Sequence, residues 1–182
     1  MYLLLLGLAL WVAGHFFKRL LPELRESLGM AGKGLAAALV LAGTVLMVRG
    51  FRGWDAALVW QPPGFMVHIN NLLMLLAFYL LVASLAKTRI TRAVRHPQLA
   101  AVKAWAVAHL LVNGDLASIV LFGGLLAWAV AEVVAINRAA PGWTPPPPAP
   151  AGKEAIAVAA TLAAFGAVAA FHIWLGYWPF PG

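Results

Sequence analysis

The sequence contains no cysteine among its 182 residues, and only 10% of its residues are charged. Without cysteine the chain cannot form disulfides, Cys-ligated zinc sites, iron–sulfur clusters or a thiol nucleophile. Carboxylates are scarce as well, because Asp and Glu together number six, so the paired acids of hydrolytic enzymes are not expected. The chain also lacks a glycine-rich phosphate loop after a strand and a His-Glu-x-x-His zinc motif. Hydrolytic chemistry is therefore not expected of this protein.

Apolar residues dominate the chain instead, because 63% of it is hydrophobic and its mean hydropathy is +0.87. A helix needs about 20 predominantly apolar residues to cross a bilayer. Six stretches approach or reach that length, at residues 2–17, 34–48, 65–86, 97–112, 116–136 and 155–178. The sequence thus predicts an all-α, polytopic membrane helix bundle of about six transmembrane helices, forming a single membrane domain over residues 1–182. Because the second and fourth stretches are short, five spans is the alternative.

Two connections between the predicted spans have a recognisable composition. Asn113-Gly114-Asp115 predicts a tight hairpin, in which Gly114 ends one helix in the left-handed conformation and Asp115 caps the next. Residues 139–154 are rich in proline and are predicted to form an extended cytoplasmic linker of limited flexibility before the last helix.

Positive charge is distributed unequally between the connections. With the N-terminus outside, ten Lys and Arg residues fall on the cytoplasmic side, whereas Arg49 and Arg52 fall outside. Because basic loops stay in the cytoplasm, this asymmetry predicts an even number of spans with both termini outside. The same topology, together with contact with anionic membrane lipid, accounts for the net charge of +7, so no nucleic-acid partner is expected.

Ionisable side chains inside a membrane span are costly unless they are paired or hydrated, so they mark candidate functional positions. Those within or at the edge of the predicted spans are His15, His68, His96, Lys103, His109, Glu132 and His172. His68 and His172 lie near an interface, where hydrogen bonds to backbone or water satisfy them. His15 and His109 lie among Leu, Ala and Val, and therefore need specific partners.

Two of the intramembrane charges have opposite sign and are expected to neutralise one another. Glu132 in the fifth span is expected to pair with Lys103 of the fourth span or with Arg138. Lys103 can otherwise extend its amine toward the cytoplasmic surface.

Several histidines in a cysteine-free apolar bundle are a composition in which two imidazoles can hold haem b between facing helices. Trp105 lies one helical turn before His109 and shares its face, so this face offers a ligand and a flat wall for a porphyrin. His15 and His109 are predicted to differ in depth by about 12 Å at 1.5 Å per residue, whereas His15 and His96 lie at matching depth. On the residues alone, both pairs stay open.

A long motif in the fourth and fifth spans resembles a known family. It runs from Arg95-His96-Pro97 through Trp105-Ala106-Val107-Ala108-His109 to Asn113-Gly114-Asp115. Further matches are His15 after an apolar first helix and the closing segment His172-Ile173-Trp174-Leu175-Gly176. Together these segments resemble the NnrU family over essentially the whole chain.

The NnrU family consists of bacterial membrane proteins associated with nitric oxide and denitrification. It is similar to plant 15-cis-zeta-carotene isomerase, a haem b enzyme of plastid membranes. The resemblance therefore implies a multi-pass protein of the bacterial inner membrane with haem b as its cofactor. In that membrane, the outside position that the charge asymmetry predicts for both termini is the periplasm. His15 and His109 match the haem ligands of the isomerase, which implies that they are the axial ligands of the haem iron. The residues expected around them are Trp105, Lys103, His96, His68 and Arg95.

The resemblance implies redox chemistry, a role related to nitric oxide, or redox-gated isomerisation of a lipid-soluble polyene. The plant enzymes differ from this chain after the fourth span, so isomerase activity is not carried over with the ligands, and whether the protein is an enzyme stays open. One alternative is a non-catalytic accessory protein of membrane-bound denitrification. Another is a membrane methyltransferase of the isoprenylcysteine type, which Arg95-His96-Pro97 also resembles. Those enzymes hold the methyl donor with further acidic and basic residues, and Glu132 is nearly alone here.

Overall fold

The computed structural model describes residues 1–180, and the regular structure in this range is helical. A 3₁₀ turn, Arg89–Arg92, lies between the fourth and fifth of its α-helices. The helices are α1 (Tyr2–Leu20), α2 (Pro22–Ser27), α3 (Gly29–Arg52), α4 (Met66–Ala86), α5 (Pro97–Val112), α6 (Leu116–Ala139) and α7 (Ala151–Trp174). Extended pairing within residues 1–180 is limited to one isolated bridge between Leu58 and Asp115. The predicted all-α fold is therefore confirmed.

Five of the helices are long and apolar enough to cross a membrane, namely α1, α3, α4, α6 and α7. α5 has 16 residues, which at 1.5 Å per residue gives about 24 Å, less than the roughly 30 Å hydrocarbon core of a bilayer. α3 begins five residues earlier and ends four residues later than predicted. Lys33 and Arg49 bound the apolar run there, but the helix continues past both. The protein is thus a polytopic membrane bundle of five long helices and a shorter apolar one.

α6 occupies the centre of the packing. It contacts α5, α1 and α3, whereas α4 packs against α5 and α7. The buried apolar core joins Leu4 of α1 and Met47 of α3 to Leu125 and Trp128 of α6. Trp105 of α5 packs against the same core. α6 therefore connects the α1–α3 pair with the layer formed by α5, α4 and α7.

α1 and α3 approach each other so closely that the contact needs glycine. A Cβ atom on Gly7 would lie 2.6 Å from the backbone nitrogen of Met47, and one on Gly43 would lie 2.8 Å from the carbonyl oxygen of Gly7. Gly14 of α1 and Gly50 of α3 lie seven residues further along and are packed as tightly. Small residues at such positions let helix backbones approach and increase their van der Waals contact in lipid.

The predicted tight hairpin between α5 and α6 is confirmed, but Gly114 has a different part in it. Asp115 caps α6, because its carboxylate accepts hydrogen bonds from the backbone N–H of Ser118 at 2.8 Å and from its hydroxyl at 2.6 Å. Gly114 does not adopt the predicted left-handed conformation. Its carbonyl accepts from the N–H groups of Val59 and Trp60, and a Cβ atom at this position would collide with the Trp60 carbonyl. The glycine is thus needed for contact with the segment before α4, not for its dihedral angles.

The C-terminal ends of α1, α4 and α6 meet the N-terminal ends of α5 and α7 at one end of the bundle. Side chains join them there, through Arg19 to Glu132 and His96 to Asn137. Ten Lys and Arg residues belong to this end or to the segments between its helices, against two at the far end of α3. We call it the basic end. The proline-rich segment 140–150 has no regular secondary structure and leads from α6 to α7.

Candidate functional site

His15 lies near the basic end of α1, half-buried against α6. Its ring packs against the indoles of Trp11 and Trp128, whose centroids are 4.4 and 4.5 Å away. Its Nδ1 atom lies 2.9 Å from the carbonyl oxygen of Trp11, and Nδ1 carries the proton because a carbonyl oxygen can only accept. In the neutral imidazole, Nε2 then keeps a free lone pair. Histidines that bind a metal through Nε2 are commonly oriented by such a bond.

His109 is held in the same way near the opposite end of the bundle, on α5. Its Nδ1 donates to the carbonyl oxygen of Trp105 at 2.9 Å, which leaves Nε2 unused. The ring stacks on Phe122 of α6 with centroids 4.5 Å apart, and the Trp105 indole packs against both rings. Trp105 therefore lies where its position one turn before His109 predicts.

α6 stands between the two histidines. His15 contacts it at Trp128 and His109 contacts it at Phe122. These positions are six residues apart, which corresponds to about 9 Å along the axis and about 120° around it. α1 and α5 therefore meet mainly through α6, and their imidazoles lie at different depths. The separation is of the same order as the depth difference of about 12 Å expected from the sequence.

Haem b is the cofactor that the family resemblance implies, and the donor atoms fit it at each histidine. Aromatic side chains pack against both imidazole rings. Iron binds in the plane of the ring at Nε2, which is the atom that the hydrogen bonds of His15 and His109 leave unused. The packing and the Nδ1 hydrogen bonds therefore hold the orientation of each ring.

Polar side chains line the contact between α1 and α6, which we call the α1–α6 seam and define by Trp11, His15, Arg19, Trp128 and Glu132. Three buried atoms in it have no hydrogen-bond partner within residues 1–180, namely Nε1 of Trp11, Nε1 of Trp128 and Oε2 of Glu132. An unpaired buried donor or acceptor costs about 1–3 kcal/mol. Three of them in the α1–α6 seam are therefore groups that a further polar group, such as water or a cofactor edge, would satisfy.

Glu132 pairs with Arg19 of α1, which corrects the expectation that it pairs with Lys103 or Arg138. Its Oε1 atom accepts from Nη2 of Arg19 at 2.6 Å and from Nε at 3.0 Å. Sequence reasoning missed this pair although a signal was present. Arg19 follows His15 by four residues, and that spacing places both side chains on one face of α1.

Two of the residues expected around the haem lie at the basic end. His96 precedes α5, and its Nε2 donates to Oδ1 of Asn137 at 2.9 Å. Thirteen residues separate it from His109, which is about 20 Å along the helix axis. Arg95, next to His96, donates to the carbonyl oxygen of Ala140. Both side chains are thus engaged with the end of α6.

The remaining residues expected around the haem lie on α4 and α5, and a further histidine lies on α7. His68 lies in the first turn of α4 and is exposed, whereas Lys103 is half-buried on α5. His172 of α7 has Nδ1 bonded to the carbonyl oxygen of Val168 at 2.8 Å, so its predicted hydrogen bond to backbone is confirmed.

The fold and the site define a polytopic membrane protein that holds imidazoles in an aromatic environment between its helices. The profile of the family described as NnrU protein matches residues 3–179, which is almost the whole chain. The chain therefore belongs to the NnrU family, as its motifs predict. No curated protein and no solved structure matches it.

Proposed function

We propose that this member of the NnrU family is a haem b protein of the membrane, with the imidazoles of His15 and His109 as ligands of the iron. One observation carries the proposal. Each ring donates Nδ1–H to a carbonyl one turn earlier and keeps Nε2 unused inside an apolar helix. The resemblance to plant zeta-carotene isomerase supports the same two positions.

When bound, haem b would supply a redox-active iron, and such an iron could take a small neutral ligand such as nitric oxide only after release of one of the two imidazoles. The residues of this chain have simpler parts. The carbonyl groups of Trp11 and Trp105 fix the tautomer of the two imidazoles, and Trp128 and Phe122 pack against their rings. Such surroundings suit a gas or a lipid-soluble polyene, because both partition into apolar space.

The position of α6 has a consequence for this proposal. The two imidazoles contact α6 at Trp128 and Phe122, which lie about 9 Å apart along its axis. A single haem held by both histidines therefore requires side chains of α6 to shift when it binds.

The test is the visible spectrum of detergent-purified protein supplied with haem, oxidised and then reduced with dithionite. We expect sharp low-spin bands for the wild type, and their loss or broadening in His15→Ala and in His109→Ala. Free imidazole should restore the bands in both variants, because it replaces the deleted ligand. His68→Ala is the matched control, since His68 is exposed, and it should keep the wild-type spectrum.

Two outcomes would contradict the proposal in different ways. A featureless spectrum from protein that is folded by circular dichroism would remove haem binding altogether, and would leave the accessory role in denitrification as the better hypothesis. Loss of the bands in His172→Ala but not in His15→Ala would keep the haem and replace one ligand. Binding of S-adenosylmethionine in a direct titration would instead favour the methyltransferase alternative.

We also propose that the basic end faces the cytoplasm across the bacterial inner membrane, with both termini periplasmic. The excess of Lys and Arg at this end supports the orientation. Because the chain has no cysteine, single cysteines can be introduced at Gln61 and at Gly142. A membrane-impermeant maleimide should label Gln61→Cys in intact spheroplasts and leave Gly142→Cys unlabelled. Labelling of Gly142→Cys but not of Gln61→Cys would show the opposite orientation in the membrane.

A further inference from the structure

A cavity of about 370 Å³ opens at the basic end, between the C-terminal end of α4 and the N-terminal end of α5. Its polar wall includes Lys87, His96 and Gln98, and its apolar wall includes Leu85, Leu99 and Ile136. No acidic residue of the described chain lines it. A cation and hydrogen-bonding groups thus lie directly beside aliphatic side chains, as the junction of a phospholipid headgroup with its acyl chains requires.

The surroundings of the cavity are positively charged. Segment 87–95, which connects α4 to α5, carries four Lys and Arg residues and no carboxylate. Glu154 of α7 brings one carboxylate to this segment, where it accepts hydrogen bonds from the Tyr79 hydroxyl at 3.0 Å and from the backbone N–H of Arg89, so one negative charge stands against four positive ones. The connection therefore keeps an excess of positive charge beside the cavity.

Lys87 has an unusual backbone conformation for its residue type. It ends α4 in the left-handed region with φ of 55°, and it is the one non-glycine residue with positive φ in the part of the chain that the structure describes. Glycine is the usual residue at such a helix end, because a Cβ atom is unfavourable there. The position has a lysine despite that cost, and the lysine lines the cavity. A role for the positive charge explains why a lysine stands at this position.

The start of α5 adds to the positive potential. Pro97 begins the helix, and no side chain caps it. The uncapped N–H groups of the first turn form the positive end of the helix dipole, which favours an anion. His96, just before the helix, is fixed by its hydrogen bond to Asn137. The imidazole of His96 is thereby held in place before any ligand arrives.

We propose that this cavity binds the phosphate headgroup of an anionic phospholipid, with Lys87 and the start of α5 facing the phosphate and the apolar wall facing the acyl chains. The lipid is favoured over free phosphate because half of the lining is aliphatic and the cavity lies at the end of membrane-spanning helices. The proposal is independent of haem binding at His15 and His109.

The experiment is native mass spectrometry of the delipidated, detergent-purified full chain, titrated with dioleoylphosphatidylglycerol or dioleoylphosphatidylcholine. The wild type should bind the anionic lipid more tightly than the zwitterionic one. Lys87→Gly should weaken binding of the anionic lipid by about fivefold, the effect of one basic residue near an anionic headgroup. The thermal unfolding midpoint of Lys87→Gly should stay the same or rise, because glycine adopts the left-handed conformation at this position without a Cβ penalty. Gln98→Glu should weaken binding of the anionic lipid at least as much. The new carboxylate should not destabilise the protein, because a negative charge near the start of α5 interacts favourably with the helix dipole.

Matched controls separate a site from general surface charge. Lys33→Ala removes one positive charge at the basic end away from the cavity, and Gln61→Glu adds one negative charge in the loop before α4, and both positions are exposed. Both controls should bind the anionic lipid as the wild type does. Equal binding of the two lipids, or equal losses in controls and cavity variants, would overturn the proposal. Displacement of the anionic lipid by millimolar inorganic phosphate would show a free-phosphate site instead.

Discussion

Removal of Arg19 and removal of Glu132, which form an ion pair, should lower the free energy of unfolding by different amounts. The Glu132 side chain is 10% exposed inside the bundle, whereas that of Arg19 is 21% exposed at the basic end. Arg19→Met leaves a buried carboxylate without its cation, and breaking a buried pair in this way costs about 3–5 kcal/mol. Glu132→Leu leaves a guanidinium that can turn toward water, so it should cost only about 1.5 kcal/mol, near the value of a hydrogen bond to a charged group.

The double variant Arg19→Met/Glu132→Leu tests whether the two effects share one cause. Replacing a buried ion pair by apolar residues of similar volume is often neutral, so the double variant should be more stable than Arg19→Met alone. The free energy of unfolding can be measured by titration with sodium dodecyl sulfate in mixed micelles, followed by tryptophan fluorescence, because the chain has eight tryptophans. Single costs that simply add in the double variant would show that the two side chains do not interact, and would refute this account.

Two further pairs of variants can be measured in the same way. Gly43→Ala should lower the free energy of unfolding by about 1–3 kcal/mol, because its Cβ would lie 2.8 Å from the α1 backbone. Gly34→Ala lies in the same helix with open space around it and should raise that energy by up to about 1 kcal/mol, so equal changes would contradict the packing of α1 on α3. Asp115→Ala should cost about 1 kcal/mol through loss of the α6 cap, whereas Asp55→Ala, at an exposed loop position, should cost almost nothing. A similar loss in both would argue against the cap.

The sequence predicts the helices well because lipid imposes one requirement on all of them. Each membrane span must be apolar over most of its length and must satisfy its own backbone, so a hydropathy pattern is enough to find it. The helix ends are harder to predict. α3 continues through Lys33 and Arg49, and α2 forms in a segment that has no apolar run. At the membrane surface, charged residues end the apolar pattern of the sequence, whereas the backbone hydrogen bonds of the helix continue past them.

Contacts within one helix could be predicted, whereas contacts between helices could not. Trp105 lies beside His109 because four residues make about one helical turn, and the spacing alone states this. Glu132 finds Arg19 across the bundle because α6 turns this face toward α1. That contact depends on the order and rotation of the helices, which local spacing does not contain. The role of Gly114 could not be predicted for the same reason, because the glycine contacts a loop that lies 54 residues earlier in the sequence.

α6 contributes none of the predicted haem ligands, yet both predicted ligands contact it. Its Trp128 packs on His15 and its Phe122 stacks on His109, so a movement of α6 along its axis would change the surroundings of both imidazoles together. Glu132, one turn after Trp128, ties the same helix to α1 through Arg19. The contacts between helices thus join the α1–α6 seam to the surroundings of His109 through α6, because α1 and α5 have few direct contacts with each other.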